Sequence, residues 1–354
     1  MKYAGGFITH MLPGDFQGVV LGDINVDMYG EFPGLPQKGQ GMNTDNLEIG
    51  LGGAGMNLTQ MLTALGCKSY PLANLGTGSL SEIAKTRIEK LAIEKKGIAR
   101  ISGKSGLFFC IITPDGDRTM FGYRGVNRSP VDYSQRLKQL PPPAEWDFIF
   151  ISAYLFLYSQ QRKKLLAWLK KLSGSLPKIK VGAVVSHLFA ERAGAGEIDI
   201  ELLNCCDCLF MNKAEFEQIA GRLSPNNMRE LAGNLELKTL AVTEGETGCV
   251  IYSRDYRSDI IKTEGFDIEP VDTTGAGDCF AAGLMGAKIA GFSPRKAALL
   301  GNFCGAAAGL GYGVSKPVKR LQEIEVENKE QLIINRTFLQ NMLQEMAERG
   351  REVT

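Results

Sequence analysis

Apolar positions along this chain follow two periods in turn. Short runs rich in β-branched and aromatic residues read as strands: Val19–Leu21, Tyr70–Ala73, Leu107–Thr113, Asp147–Ser152, Val181–Val185, Cys208–Met211, Thr239–Val242 and Cys249–Tyr252. Stretches with helical spacing alternate with them: Gly55–Leu65, Ser81–Lys95, Gln160–Lys171, Lys213–Gly221, Asn226–Glu236, Gly277–Ala290, Pro294–Leu310 and Lys329–Glu348. Several strands are apolar throughout, as strands covered on both faces are. The alternation predicts an α/β fold of βαβ units around a mostly parallel sheet.

Two segments break the alternation. Tyr29–Gly50 is rich in Gly and Pro and ends in a short alternating piece, Asn46-Leu47-Glu48-Ile49. Ile101–Tyr123 holds Leu107–Thr113, a turn at Pro114-Asp115-Gly116-Asp117, and Arg118–Tyr123, the pattern of a hairpin. Parts of 29–50 and 101–125 are therefore expected to form a small second sheet, suited to act as a lid over a substrate. The main domain is expected over 18–317, with 1–17 and 318–354 as peripheral extensions.

The chain has 354 residues, 44% hydrophobic and 22% charged, with a net charge of +1. No long Lys/Arg block suggests nucleic acid or an anionic membrane, and no apolar run approaches the ~18 residues of a membrane span. Eight Cys without a secretory signal imply reduced thiols and a cytoplasmic protein. Cys205 and Cys208 have C-x-x-C spacing, but zinc needs a second ligand pair and the chain has only His10 and His187. Small buried hydrophobes are the better reading.

The richest chemistry lies at Asp272-Thr273-Thr274-Gly275-Ala276-Gly277-Asp278, which runs into an apolar small-residue helix. Glycines admit close backbone approach, and the free N–H groups of a helix start favour an anion. An Asp in the first turn beside such a cradle suits phosphoryl transfer to a hydroxyl, and the helix dipole is expected to keep it ionised and weakly basic. The plain alternative is a helix start capped by Thr273 or Thr274. Asn25 and Asp27 follow the first strand, where α/β ligands bind, or belong to a capped loop. Gly52-Gly53-Ala54-Gly55-Met56-Asn57 leads into a helix and admits a small ligand, or is only a flexible entry. Asn212 and Glu215 fall on one helical face, which suits a water-mediated Mg²⁺ shell; they also make a capping box, and both can hold together. Thr243-Glu244-Gly245-Glu246-Thr247-Gly248 is a hairpin turn or a nucleotide shelf. Gly103-Lys104-Ser105 lacks the glycine spacing of a Walker A loop, and no dinucleotide fingerprint follows the first strand.

Together these motifs, from about Val19 to Pro317, resemble the PfkB family of carbohydrate kinases, the ribokinase-like group. The resemblance implies a three-layer α/β/α domain with a β-sheet lid, and transfer from ATP with Mg²⁺ to a sugar or sugar acid. It implies Asp278 as base and Gly275, Ala276 and Gly277 as anion hole. Asn25, Asp27, Gly53, Asn57 and Arg124 would serve the acceptor. Asn212, Thr243, Gly245, Gly248, Gly277 and Asn302 would serve the nucleotide, and Glu215 the metal. Asp272 and Thr274 match positions that hold a monovalent cation such as K⁺. Pairing of two copies through the lid is a further expectation.

Departures from the family blur the acceptor. Ala54 stands where ribokinases carry Lys, and Gly122-Tyr123-Arg124-Gly125 is closer to fructokinases and ketodeoxygluconate kinases. Val184-Val185-Ser186-His187 replaces a more usual Asp-Pro-Asn or Asn-Pro, and no basic residue in 51–57 invites a phosphorylated sugar. A nucleoside kinase, with Phe108, Phe109 and Tyr123 holding a base, is the nearest alternative. A catalytically silent sugar sensor is a second, against which the intact Asp278 argues.

Overall fold

In this computed structural model, which describes residues 12, 15–114, 118–173, 176, 178–197, 200–225, 227–254 and 260–314, the apolar runs assemble into one large sheet. Its strands are β1 (Gln17–Leu21), β4 (Lys68–Leu75), β5 (Ile98–Arg100), β8 (Phe148–Ser152), β9 (Lys180–Val184), β10 (Cys208–Asn212), β11 (Thr239–Thr243), β12 (Cys249–Ser253) and β13 (Ile260–Thr263). Their order is β13-β12-β11-β10-β9-β8-β1-β4-β5. Every pairing from β5 to β11 is parallel; β12 and β13 add antiparallel at the edge. A second sheet, ordered β3-β2-β6-β7, comprises β2 (Asn25–Glu31), β3 (Leu47–Gly52), β6 (Gly106–Ile112) and β7 (Arg118–Tyr123).

The helices are α1 (Ala54–Ala64), α2 (Ser79–Glu89), α3 (Tyr133–Arg136), α4 (Ser159–Ser173), α5 (His187–Gly194), α6 (Lys213–Leu223), α7 (Met228–Asn234), α8 (Ala276–Ile289) and α9 (Pro294–Gly309). Alternation along the strands divides the core in two. Leu21, Ile149, Ile151, Leu209 and Met211 point to the side of α4–α7. Val20, Phe148, Phe150, Cys208 and Phe210 point to the side of α1, α8 and α9. Helix–sheet–helix layering follows directly from period-2 strands with both faces apolar. Cys206 and Cys208 fall in opposite core layers, where they pack as small hydrophobes. Among the described residues no helix is long and apolar enough to cross a membrane.

Several elements differ from the sequence-based expectation; β5, β13 and the short α3 were not foreseen, and three further differences bear on the site or the core. The polar stretch after β1 is a strand, β2, because Ile24 and Val26 are buried beneath the small sheet while Asn25 and Asp27 face the other way. The small sheet therefore begins at Asn25, ahead of Tyr29. Helix α2 stops at Glu89, short of Lys95. Ile93 joins Ala84 and Ile88 in the core, and a continued helix would place it about 140° away from Ile88. Helix α5, unforeseen, starts where Ser186 Oγ accepts from the Phe189 N–H at 3.3 Å. The expected helix Lys329–Glu348 and the turn at 115–117 lie outside the described residues.

Phe189 anchors α5. It is fully buried, with its ring edge-on to Phe156 at 5.5 Å between centroids. Phe189→Ala should cost about 3–5 kcal/mol of unfolding free energy, read from urea denaturation, since a cavity replaces a full aromatic ring.

Candidate active site

A cavity of about 550 Å³ opens between the carboxyl ends of the parallel strands and the small sheet. Ser152, Val184, Asn212 and Thr243 reach it from the ends of β8–β11; Asn25, Asp27, Phe108, Arg118, Met120 and Arg124 reach it from the small sheet and the residue after β7. This is the region where open α/β sheets bind ligands.

The floor is the start of α8. Its N-cap is Gly275 at φ 81°, a left-handed conformation that glycine adopts without strain, and neither Thr273 nor Thr274 caps the helix. A Cβ at Gly275 would also stand 2.8 Å from the Asn57 amide. Asp278 is the third helical residue, and its Oδ2 accepts from Asn57 Nδ2 at 2.9 Å. Burial pushes the Asp278 carboxyl up to about 7; the Asn57 bond opposes the shift and the Glu215 and Asp23 charges add to it. Desolvation thus outweighs the helix dipole, and the expectation of a weak base is corrected: near pH 7 a carboxyl with this pKa is well matched to proton transfer.

The expected three-amide cradle is narrower. The Ala276 N–H donates to the Thr273 carbonyl at 3.1 Å, and Ala276 does not line the cavity. Gly275 and Gly277 do.

The acceptor side is dense in polar groups. Asn25 Oδ1 accepts from Asn127 Nδ2 at 2.7 Å, which fixes its amide. Asp27 Oδ2 accepts from the Tyr29 hydroxyl at 3.2 Å. Burial raises the Asp27 carboxyl to about 7, against the Tyr29 hydrogen bond and with a smaller push from Asp272. Gly52 is required beside it: a Cβ there would fall 1.7 Å from Asp27 Oδ2. Arg124 pairs with buried Asp23 and lies over the Tyr154 ring, 4.1 Å from its centroid. Asp23 Oδ1, Asp27 Oδ1, Ser152 Oγ and Arg124 Nε are buried without a hydrogen-bond partner, and all four residues line the one cavity. Buried polar atoms are rarely left so, and each costs about 1–3 kcal/mol until satisfied.

Asn212 and Glu215 form the expected capping box, 2.9 Å in each direction, and both also line the cavity. Burial lifts the Glu215 carboxyl to about 7, against the hydrogen bond from the Asn212 N–H. Thr243 and Gly53 reach the cavity; Gly245, Gly248, Asn302 and Asp272 do not. Asn302 donates to Thr263 Oγ1 at 3.2 Å and to the Glu264 carbonyl at 2.8 Å. Gly245 and Gly248 shape the β11–β12 turn. Of the aromatic residues expected near the acceptor, only Phe108 lines the cavity; Phe109 packs on Phe32 and Tyr123 is exposed.

Sequence reasoning missed Asp23, Arg118, Ser152 and Tyr154 as cavity residues. Asp23 carried a usable signal, a carboxylate directly after a buried strand. The others become neighbours only through the tertiary fold.

Solved structures like this one share its fold. A 2-dehydro-3-deoxygluconokinase from Thermotoga maritima superposes with a TM-score of 0.71 at 18% identity, covering 88% of this chain and 99% of that one. A ribokinase from Arabidopsis thaliana, complexed with ribose and ATP, gives 0.67 at 18% identity over 88% and 99%. In sequence, the uncharacterized sugar kinase YegV of Escherichia coli is 25% identical over 289 residues, 80% of this chain and 85% of its own. The fold is the ribokinase-like one shared by these carbohydrate kinases. Residues 17–320 match the pfkB family of carbohydrate kinases, and the chain belongs to that family.

Proposed function

We propose that the chain transfers the γ-phosphoryl group of ATP to a hydroxyl of a small sugar or sugar acid in the cytoplasm. The observation that carries this reading is the set of unpartnered buried polar atoms around Asp278. Asp23, Asp27 and Ser152 present acceptors and a donor to the same cavity, and an apolar ligand would leave them unsatisfied. Asn25, Asp27, Gly53, Asn57 and Arg124 hold the acceptor. Asp278 takes the hydroxyl proton as the acceptor oxygen bonds to the γ-phosphorus and the bond from that phosphorus to the ADP oxygen breaks. Gly275 and Gly277 offer amides to the transferring group, with the Asn57 bond fixing the carboxylate.

Asn212 and Thr243 make the nucleotide end of the cavity, and Gly245, Gly248 and Asn302 would serve the nucleotide beyond its wall. The donor set there suits Mg²⁺, which takes one or two carboxylates and keeps most of its waters: the Glu215 charge lies close enough to Asp278 to raise the cost of ionising it. Bound Mg²⁺ would neutralise charge on the phosphates. Phe121 and Tyr123, 60% and 51% exposed on the outward face of β7, support pairing of two copies through the small sheet.

The test is ADP release with ATP and Mg²⁺ across ribose, fructose, 2-keto-3-deoxygluconate, tagatose, adenosine and inosine. Turnover is expected with a sugar or sugar acid. Turnover with the nucleosides alone would establish the nucleoside-kinase alternative. Sugar binding by calorimetry without ADP release would establish a sensor.

A further inference from the structure

Arg118, the first residue of β7, reaches from the small sheet to the turn that opens α8. Its Nη1 donates to Asp272 Oδ1 at 3.1 Å and to Thr274 Oγ1 at 2.9 Å. The Asp272 side chain is fully buried. Its Oδ1 also takes the Thr274 N–H at 2.9 Å and the Thr274 hydroxyl at 2.7 Å, and its Oδ2 takes the Gly313 N–H at 3.3 Å. A carboxylate oxygen has about two lone-pair sites; three donors share Oδ1 and one reaches Oδ2.

The family resemblance sets a monovalent cation at Asp272. The residues here do not fit that ion. The carboxylate that would bring it the negative charge already carries a guanidinium, and its Oδ1 is crowded by three donors. Guanidinium is permanently charged and donates from fixed positions. We propose that Arg118 is the built-in cation of this chain: it neutralises Asp272 and sets the Thr274–Gly275 turn in place of a monovalent ion. The inference rests on reading the 272–278 turn as the phosphoryl site.

The substitution changes more than the identity of a charge. A free ion arrives from solvent, whereas Arg118 arrives with β7, whose inward row also carries Met120 into the cavity. The Gly313 loop is tied to the same sheet, because the Tyr312 ring stacks on Tyr29 at 5.8 Å and its hydroxyl donates to Glu31. Both partners that the Asp272 side chain finds outside its own turn are thus held by the small sheet. Arg118 is a positioning residue: it acts on the turn and not on the reacting atoms.

The experiment compares wild type, Arg118→Ala and Arg118→Lys in K⁺ and in tetramethylammonium at matched ionic strength. Two readouts are taken: thermal melting without nucleotide, and steady-state ADP release. Wild type should melt at one temperature and turn over at one rate in both salts. Arg118→Ala should lose about tenfold or more of kcat in tetramethylammonium, as a lost charge-assisted contact implies. K⁺ should raise its melting temperature and restore most of the rate. Arg118→Lys, which keeps the charge, should remain insensitive to K⁺. Activation or stabilisation of wild type by K⁺ would overturn the proposal. So would an Arg118→Ala protein with full kcat and no response to K⁺. The wild-type comparison decides even if Arg118→Ala fails to fold. Melting is independent of catalysis, so failure of the phosphoryl-site reading, seen as an active Asp278→Asn enzyme, is distinguished from failure of this one.

Discussion

Asp278→Asn is expected to lower kcat by at least ~10²–10⁴, the usual contribution of a positioned proton acceptor, while the folded protein still binds ATP. The side chain keeps its shape, and the asparagine carbonyl still accepts from Asn57 Nδ2. Only the capacity to take a proton is lost. In wild type the base acts when ionised, so kcat/KM should fall about tenfold per pH unit below its pKa of about 7. Stability should move the other way. The Asp278 pKa rises from an ordinary 3.8 to about 7 on folding. The folded state therefore holds the proton more tightly, and that stabilising contribution is full below pH 3.8 and lost as the pH climbs through about 7. At pH 8 wild type carries an uncompensated buried charge that asparagine removes, so Asp278→Asn should melt no lower than wild type there. A slow variant with unimpaired melting assigns Asp278 to catalysis. A variant with near-normal kcat removes the mechanism.

The second large effect concerns the acceptor. Asp27→Ala should lower kcat/KM for the sugar by roughly a hundredfold, since a carboxylate that binds paired hydroxyls is worth about 3 kcal/mol. The KM for ATP should hardly change, because Asp27 sits on the small sheet. Gly52→Ala should reproduce the loss by displacing the Asp27 carboxylate, as its methyl would stand 1.7 Å from Asp27 Oδ2. Unaltered acceptor kinetics in both variants would remove Asp27 from the acceptor site.

Much of this architecture was legible because strands covered on both faces are apolar at every position. Phe148–Ser152 and Cys208–Met211 announce themselves. The 272–278 turn was equally legible, because left-handed backbone demands Gly275. Strand β2 was harder to read. Its polar half points at the cavity and is buried all the same, so polarity suggested a loop although Ile24, Val26 and Met28 keep the strand period. The basicity of Asp278 was hidden for a different reason. A helix dipole is written in local sequence, whereas desolvation depends on how much of the distant chain closes over the group. Arg118 was invisible as a partner of Asp272, 154 residues away.

Strand β7 carries two unrelated sets of residues on its two faces. Arg118 and Met120 face the cavity, while Phe121 and Tyr123 face out. The register with β6, from Ile112↔Arg118 to Leu107↔Tyr123, keeps them apart. A slip of one residue exchanges the faces of a strand entirely, sending the aromatic rings into the cavity and the guanidinium to solvent. Both roles of β7 therefore hang on this single register.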